Sequence, residues 1–321
     1  MHPRVSVLMS VYNGAPYLEL AVQSILSQTY DDFEFIIVND GSTDDTDEIL
    51  GLFADTRIVR ICNPNNIGLT RSLNLALRQA SGEFIARQDS DDISMPEKLS
   101  MQTAFLESHP EYGLVGCATK RIDSGGKYLQ TVIPPASDLE ICKTLFQRNP
   151  MVHGSVIARK SLIDAVGGYR EHFITSQDYD LWMRLSEISF LSNLPHPLYF
   201  RRMHSQSVGT LKRKSQARFS FDVVQMAIER LQGGNDRLGF SITRIPGTCV
   251  SEWAKDRWRI CGQSEQETTF KLWLKVIEIS KMAPSKTALI SILFVITRQN
   301  LLNGARTLKQ MTKMLLGIRA G

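Results

Sequence analysis

Cysteine is scarce and scattered. The five in 321 residues (Cys62, Cys117, Cys142, Cys249, Cys261) form no CxxC pair, which argues against a zinc site or a disulfide framework and fits a reducing compartment. Long apolar runs are missing too. Ala288–Thr297 is ten apolar or small residues, half of the roughly 20 that a membrane-spanning helix needs. No charged-then-apolar leader precedes the first strand pattern at Val5–Val11, so the expectation is a cytoplasmic protein with no export signal. Nothing in the pattern calls for nucleic acid as a partner. Apolar content of 43% and charged content of 22% are those of an ordinary globular chain, long enough for one large domain with an appendage or for two.

The charge is unevenly distributed. Residues 1–200 carry 16 Lys/Arg against 25 Asp/Glu, a net of −9, and residues 201–321 carry 21 against 8, a net of +13. Such a split suggests two tasks, a cation-using site and a surface for an anionic partner.

Strand and helix periodicities alternate through the first ninety residues. Val5–Val11 and Phe33–Val38 are apolar and rich in β-branched residues, as strands buried on both faces are. A third strand is expected near Arg57–Ile61 and a fourth over Glu83–Gln88. Helical spacing follows the first strand (Leu18, Ala21, Val22, Ile25), the second (Ile49, Leu50, Phe53) and the third (Leu73, Ala76, Leu77). This order predicts a parallel, doubly wound α/β sheet whose ligands bind beyond the carboxyl ends of the strands. The pattern then turns mixed. Ser94-Met95-Pro96-Glu97 has the form of a capping box, a strand is expected over Gly113–Thr119, Asp123-Ser124-Gly125-Gly126 reads as a hairpin turn, and a further strand is expected to begin at His153. Another helix runs from about Ser176 to Leu185, and a strand lies near Phe190–Leu194. Beyond residue 210 the strand pattern gives way to helices. The segment holding Arg306, Lys309 and Lys313 among Leu308, Met311 and Leu315 would suit either an anionic membrane surface or a packed bundle.

Chemistry concentrates at the predicted strand ends. Asp89 and Asp91 alternate out of the fourth strand and would project together. Adjacent carboxylates repel unless a cation lies between them, and hard oxygen ligands suit Mg²⁺ or Mn²⁺ shared with a phosphate. Solvated turns or helix caps are the other reading of such acids. Asp92 is expected to face away and serve the loop. Tyr12-Asn13 and Asp40 lie at the same edge. Asp178 and Asp180 fall in a helix first turn, where the dipole favours a carboxylate. Arg201, Arg202 and His204 gather donors apt for phosphate oxygens, provided that their loop folds back on the acids.

Together, Val5–Asn13, Val38–Asp44, Asn66–Leu69, Arg87–Asp92 and Gln177–Leu185 resemble glycosyltransferase family 2, in that family's order and at its separations, over about two-thirds of the chain. The resemblance implies a GT-A fold, a doubly wound mixed sheet with a mainly helical C-terminal extension. It also implies inverting transfer from a nucleoside diphosphate sugar, most simply of the UDP or dTDP type, to an acceptor hydroxyl. In its terms Tyr12 stacks on the base beside Asn13, Asp40 accepts from the base and Arg71 lies nearby. Asp91 ligates Mn²⁺ or Mg²⁺, with Asp89 towards the ribose or the metal shell. Asp178 is the catalytic base, and Arg202 and His204 close over the diphosphate and metal. The sequence departs at Gln177, where the family has Glu, which removes one carboxylate from the acceptor side.

The expected division is a catalytic domain over 1–209, with a nucleotide-binding half to about 95 and an acceptor half from about 96, followed by a basic helical region over 210–321. The basic end suggests a glycan or polyprenyl-diphosphate-linked acceptor, as in cell-surface polysaccharide synthesis, and peripheral attachment to the inner face of the membrane. Two rival readings are a nucleotidyltransferase, which would need a Gly-rich basic loop where Tyr12-Asn13-Gly14-Ala15-Pro16 stands, and a sugar-nucleotide-binding protein without catalysis.

Overall fold

The computed structural model describes residues 2–207, 211–231 and 235–241. Four strands, β1 (Val5–Val11), β2 (Phe33–Asn39), β3 (Ile58–Cys62) and β4 (Phe84–Arg87), pair in the order β3-β2-β1-β4, every pair parallel. Crossover helices α1 (Ala15–Leu26), α2 (Thr46–Gly51) and α3 (Leu69–Gln79) connect them. The alternation of the strand residues decides which side each helix takes. Val5, Val7, Met9 and Val11 face one core with Leu18, Ala21, Val22 and Ile25 of α1, whereas Leu8, Ile36 and Val38 face the other with Leu73, Ala76 and Leu77 of α3. Both faces of β1 are covered, and its buried Ser6 is paired, the hydroxyl donating to Glu34 Oε1 at 2.6 Å and accepting the Gly82 N–H at 2.9 Å, as a polar group inside a core must be.

Past β4 the sheet becomes mixed. β5 (Ile93–Ser94), α4 (Lys98–Ser108), β6 (Tyr112–Ile122), β7 (Tyr128–Val132), α5 (Asp138–Leu145), β8 (Ile157–Arg159), α6 (Lys160–Ala165), α7 (Gln177–Ser186) and β9 (Phe190–Arg202) complete it. The order continues β4-β8-β6-β9-β5, with β7 paired to β6 through the expected turn at Asp123. β8 is antiparallel to β4, and β9 runs parallel to β6.

Three expectations need correction. Ser94 does not cap α4. It belongs to β5, its hydroxyl donates to Gln88 Oε1 at 2.6 Å, and the helix begins after Glu97 with no side-chain cap. His153–Ser155 is a 3-10 turn rather than a strand start. A Cβ on Gly154 would overlap the Tyr199 hydroxyl, so the close approach of β9 sets this turn. The run Tyr199–Arg202 is not loop: β9 extends to Arg202, because Thr119–Ile122 of the lengthened β6 pair with it.

The helix Arg213–Leu231 buries Val223, Met226 and Ala227 in the same core as α3 and α7. A buried ion network joins it to the sheet domain. Arg230 holds Glu187 at 2.5 Å, Asp236 binds Arg230 at 2.5 Å and Arg170 at 2.7 Å, and Arg170 also pairs with Asp180. Among the described residues no helix is long and apolar enough to cross a membrane. The apolar run at 288–297 and the basic segment at 306–313 lie outside the described residues.

Candidate functional site

The acid turn is built from its own strand outward. β4 ends at Arg87, whose guanidinium is buried and binds Asp89 Oδ1 at 2.6 Å. Gln88 wraps the turn, donating to the carbonyls of Asp89 (3.0 Å) and Asp92 (2.9 Å). The buried Lys98 ammonium donates to the Arg87 carbonyl at 2.9 Å, and burial pulls its pKa down to about 8. The sequence pattern did not single out Gln88 or Lys98, because a polar residue inside a core is visible only once its partners are known.

Each of the three acids does something different. Asp89 lies beside the hydroxyl of Tyr199, which accepts the Asp89 N–H at 3.2 Å. Burial raises the pKa of Asp89, and Asp91 adds to this while Arg87 opposes it. Asp91 stays partly open and its Oδ2 contacts His204 Nε2 at 2.8 Å. Asp92 turns inward as expected and accepts the Arg202 N–H at 2.7 Å. Burial first, then Asp91 and Asp89, push its carboxyl well above the ordinary range.

His204 comes to Asp91 from 113 residues away, its ring 5.1 Å from that of Tyr17. A carboxylate oxygen and an imidazole nitrogen in contact suit Mn²⁺ better than Mg²⁺. Among the described residues no three His, Cys, Asp or Glu side chains assemble around one point. The pair therefore fits an ion that takes its remaining ligands from a substrate diphosphate and water. Arg202 is spent differently from the expectation. Its guanidinium donates to the carbonyls of Asp91 (3.0 Å), Asp123 (3.3 Å) and Ser124 (3.2 Å) and lies over the Tyr17 ring, so it braces the turn from beneath.

At the β1 and β2 ends, Tyr12 presents a half-exposed ring. Asn13, at φ 51°, joins two loops. Its backbone N–H reaches Ser42 Oγ at 3.0 Å and its Oδ1 accepts the Thr43 N–H at 2.8 Å. Asp40 is buried, and its carboxylate accepts from Asn63 (2.8 Å), the Ile67 N–H (3.0 Å) and the Gly68 N–H (2.9 Å). It thereby anchors the start of α3 and shapes the rim near Tyr12. Gly41, at φ +71°, lets residue 65 approach to a distance that any Cβ would obstruct. Arg71 is exposed and pairs with Glu171 at 3.0 Å.

Asp178 is the second residue of α7, not its cap. The cap is Ser176, in the left-handed region at φ 62°. Asn149 Nδ2 donates to Asp178 Oδ2 at 2.8 Å. Burial raises the Asp178 pKa to about 6, with the Asp89 charge adding to the effect against the hydrogen bonds. A carboxyl tuned close to neutrality is what general-base catalysis asks for. Asp180 is the opposite case. It is buried between Arg184 and Arg170, which outweigh desolvation and keep its pKa low.

Between Asp89 and α7 lies a buried relay. Arg87 Nε donates to His153 Nε2 at 3.1 Å, and the Tyr169 hydroxyl is 2.9 Å from the same nitrogen. Burial and the Arg87 charge depress the His153 pKa well below its usual value, leaving the ring neutral.

Comparison with known proteins follows the same lines. Residues 6–167 match the family described as Glycosyl transferase family 2. The putative glycosyltransferase EpsE of Bacillus subtilis (strain 168) is 37% identical over 239 residues, 72% of this chain and 84% of EpsE. The crystal structure of S. aureus TarS 1–349 superposes with a TM-score of 0.58 at 21% identity, over 83% of this chain and 72% of that one. The same protein has been solved with UDP-GlcNAc, with a TM-score of 0.54. The mannosyltransferase PcManGT of Pyrobaculum calidifontis, in complex with GDP-Man and Mn²⁺, gives a TM-score of 0.54 at 19% identity, over 92% of this chain and 87% of that one. The fold is that of the GT-A glycosyltransferases.

Proposed function

Because the chain belongs to glycosyltransferase family 2, we propose that it transfers a sugar, with inversion and with the help of a divalent metal, from a nucleoside diphosphate sugar to a hydroxyl group. A UDP or dTDP donor and a glycan or polyprenyl-diphosphate-linked acceptor complete the proposal. The observation that carries it is the Asp178 carboxyl, held by Asn149, raised to about 6 and within electrostatic reach of the acid turn that holds Asp91 and His204.

In this reading the base of the donor lies against Tyr12, on a rim that Asp40 and Asn13 keep in shape. Asp91 and His204 would hold Mn²⁺ or Mg²⁺, with Asp89 next to them. A bound ion supplies neutralisation of the charge that grows on the leaving diphosphate. Asp178 takes the acceptor hydroxyl's proton as that oxygen bonds to the anomeric carbon, and the carbon–oxygen bond to the diphosphate breaks in the same displacement. One displacement inverts the centre and needs no enzyme nucleophile. Arg202 keeps Asp91 in place through its backbone, and Asp180 keeps α7 in place.

The division of labour follows the sheet. Residues 1–95 serve the nucleotide and 96–209 the acceptor, and the basic region 210–321 favours an acceptor at an anionic membrane surface, as in polysaccharide assembly. EpsE, TarS and PcManGT support the transferase reading by family or fold, and the last two are described with nucleotide sugars. Calorimetric titration with UDP, dTDP and GDP, with and without Mn²⁺, tests the donor half. One nucleotide should bind much more tightly with the metal, and metal-independent binding of all three would refute it.

A further inference from the structure

The reading above leaves two guanidiniums unused. Arg121 and Arg201 face each other across the β6–β9 ladder, in register. Both are half-buried, yet among the described residues neither donates a side-chain hydrogen bond or forms an ion pair. The other arginines of described placement that share this condition, Arg78, Arg148 and Arg218, are exposed to solvent. Like charges placed opposite one another on neighbouring strands repel. Burial already lowers the Arg121 pKa from its ordinary value, and Arg201 lowers it further.

Their location limits what could relieve that repulsion. Arg201 lies two residues beyond Tyr199, so both point to one face of β9, and Tyr199 is the side chain whose hydroxyl meets the Asp89 N–H. The positive charge of Arg201 is felt at Asp89 and at Asp92. β6 and β9 stand on the far side of β4 from β1 and β2. With the base of the donor at Tyr12 and its diphosphate at Asp91, as proposed above, the pair lies on the side of the site away from the base, which that reading gives to the acceptor.

We propose that Arg121 and Arg201 together bind an anionic group, a phosphate or a carboxylate, carried by the acceptor. Two adjacent guanidiniums offer parallel N–H donors that match the oxygens of either group. An anion between them would also offset the repulsion that the bare pair bears. The assignment to the acceptor rests on the proposed direction of the donor, from Tyr12 towards Asp91.

The test uses the full-length protein and inorganic phosphate as probe, titrated calorimetrically without metal at low ionic strength, beside UDP and GDP titrated with Mn²⁺. Wild type should saturate with phosphate. Arg121→Gln and Arg201→Gln should each weaken phosphate by about tenfold or more, the loss of a charged hydrogen-bond pair, while nucleotide affinity stays near wild type. Absence of saturable phosphate binding by wild type overturns the proposal, whether or not the variants fold. Unchanged phosphate affinity in both variants does the same. A parallel fall in phosphate and nucleotide affinity gives the pair to the donor diphosphate and overturns the acceptor assignment. Failure of every nucleotide to bind wild type would instead sink the activity proposed above, while the phosphate results would still decide whether the two arginines hold an anion.

Discussion

The backbone N–H of Arg202 donates to Asp92 Oδ1 at 2.7 Å, across 110 residues of sequence. That bond fastens the end of β9 to the acid turn after β4, and it brings His204 to Asp91. The two halves of the sheet thus meet at one point, and the candidate metal pair is drawn from both.

Asp91→Ala should remove the metal dependence of nucleotide binding. Titration of the preferred nucleotide with Mn²⁺ should show affinity close to that of wild type without metal. His204→Ala should lose part of the same increment. Affinity unchanged by Asp91→Ala would move the ion elsewhere.

In the proposed reaction the pH profile should be set by Asp178. Its pKa of about 6 predicts turnover that rises with pH through about 6 and then levels off, since the base must be ionised to work. The same shift predicts the direction of stability. A carboxyl whose folded pKa is raised contributes stability below its unfolded pKa, near 3.8, and loses it as pH rises through about 6. Asp178→Asn, which cannot ionise, should therefore melt at a higher temperature than wild type at pH 7.5 and lose that advantage at pH 4. Thermal scans at the two values check it.

Asp180 should matter for folding instead. Removing its carboxylate leaves Arg170 and Arg184 facing each other in the interior, and breaking such a pair costs about 3–5 kcal/mol. Asp180→Ala should lower the denaturant midpoint sharply. A variant as stable as wild type would contradict the buried network.

Asp40→Ala should loosen the nucleotide rim. Two backbone N–H groups and the Asn63 amide would lose their acceptor, at about 1–3 kcal/mol for each group left buried and unpaired. The expected result is faster proteolysis near residue 65 together with weaker nucleotide binding, measured by limited digestion and titration.

The parallel half of the fold was legible because local periodicity determines it: β1 and β2 are mostly apolar and rich in β-branched residues, and the helices between repeat at helical spacing. The place of the acid turn was legible too, since β4 ends at Arg87, one residue before the expected strand end, but strand alternation does not describe Asp89–Asp92, which lie in a turn. What escaped was decided by distant partners. Ser94 has the sequence of a cap but is recruited by Gln88 into the turn. Tyr199–Arg202 has the composition of a basic loop but is claimed by β6. Of the neighbouring arginines, the alternation of β9 turns Arg202 inward to brace Asp91 and puts Arg201 on the face of Tyr199, where its charge is felt at Asp89 and Asp92, and no local signal separates them. Asp40 and Asn13, expected to meet the nucleotide, have polar atoms engaged by the surrounding loops, a holding role that depends on loop paths the sequence does not reveal.

The central claim is that Asp178 draws the proton from an acceptor while Asp91 serves the donor. The most direct test is turnover of labelled nucleotide sugars, UDP-, dTDP- and GDP-linked, by wild type and Asp178→Asn at saturating donor with Mn²⁺. The prediction is that wild type cleaves one class of donor and that EDTA stops it. Asp178→Asn should bind that donor equally well and turn it over at least about a hundredfold more slowly, the loss of a general base. Near-normal turnover by Asp178→Asn, or turnover indifferent to EDTA, would contradict the account.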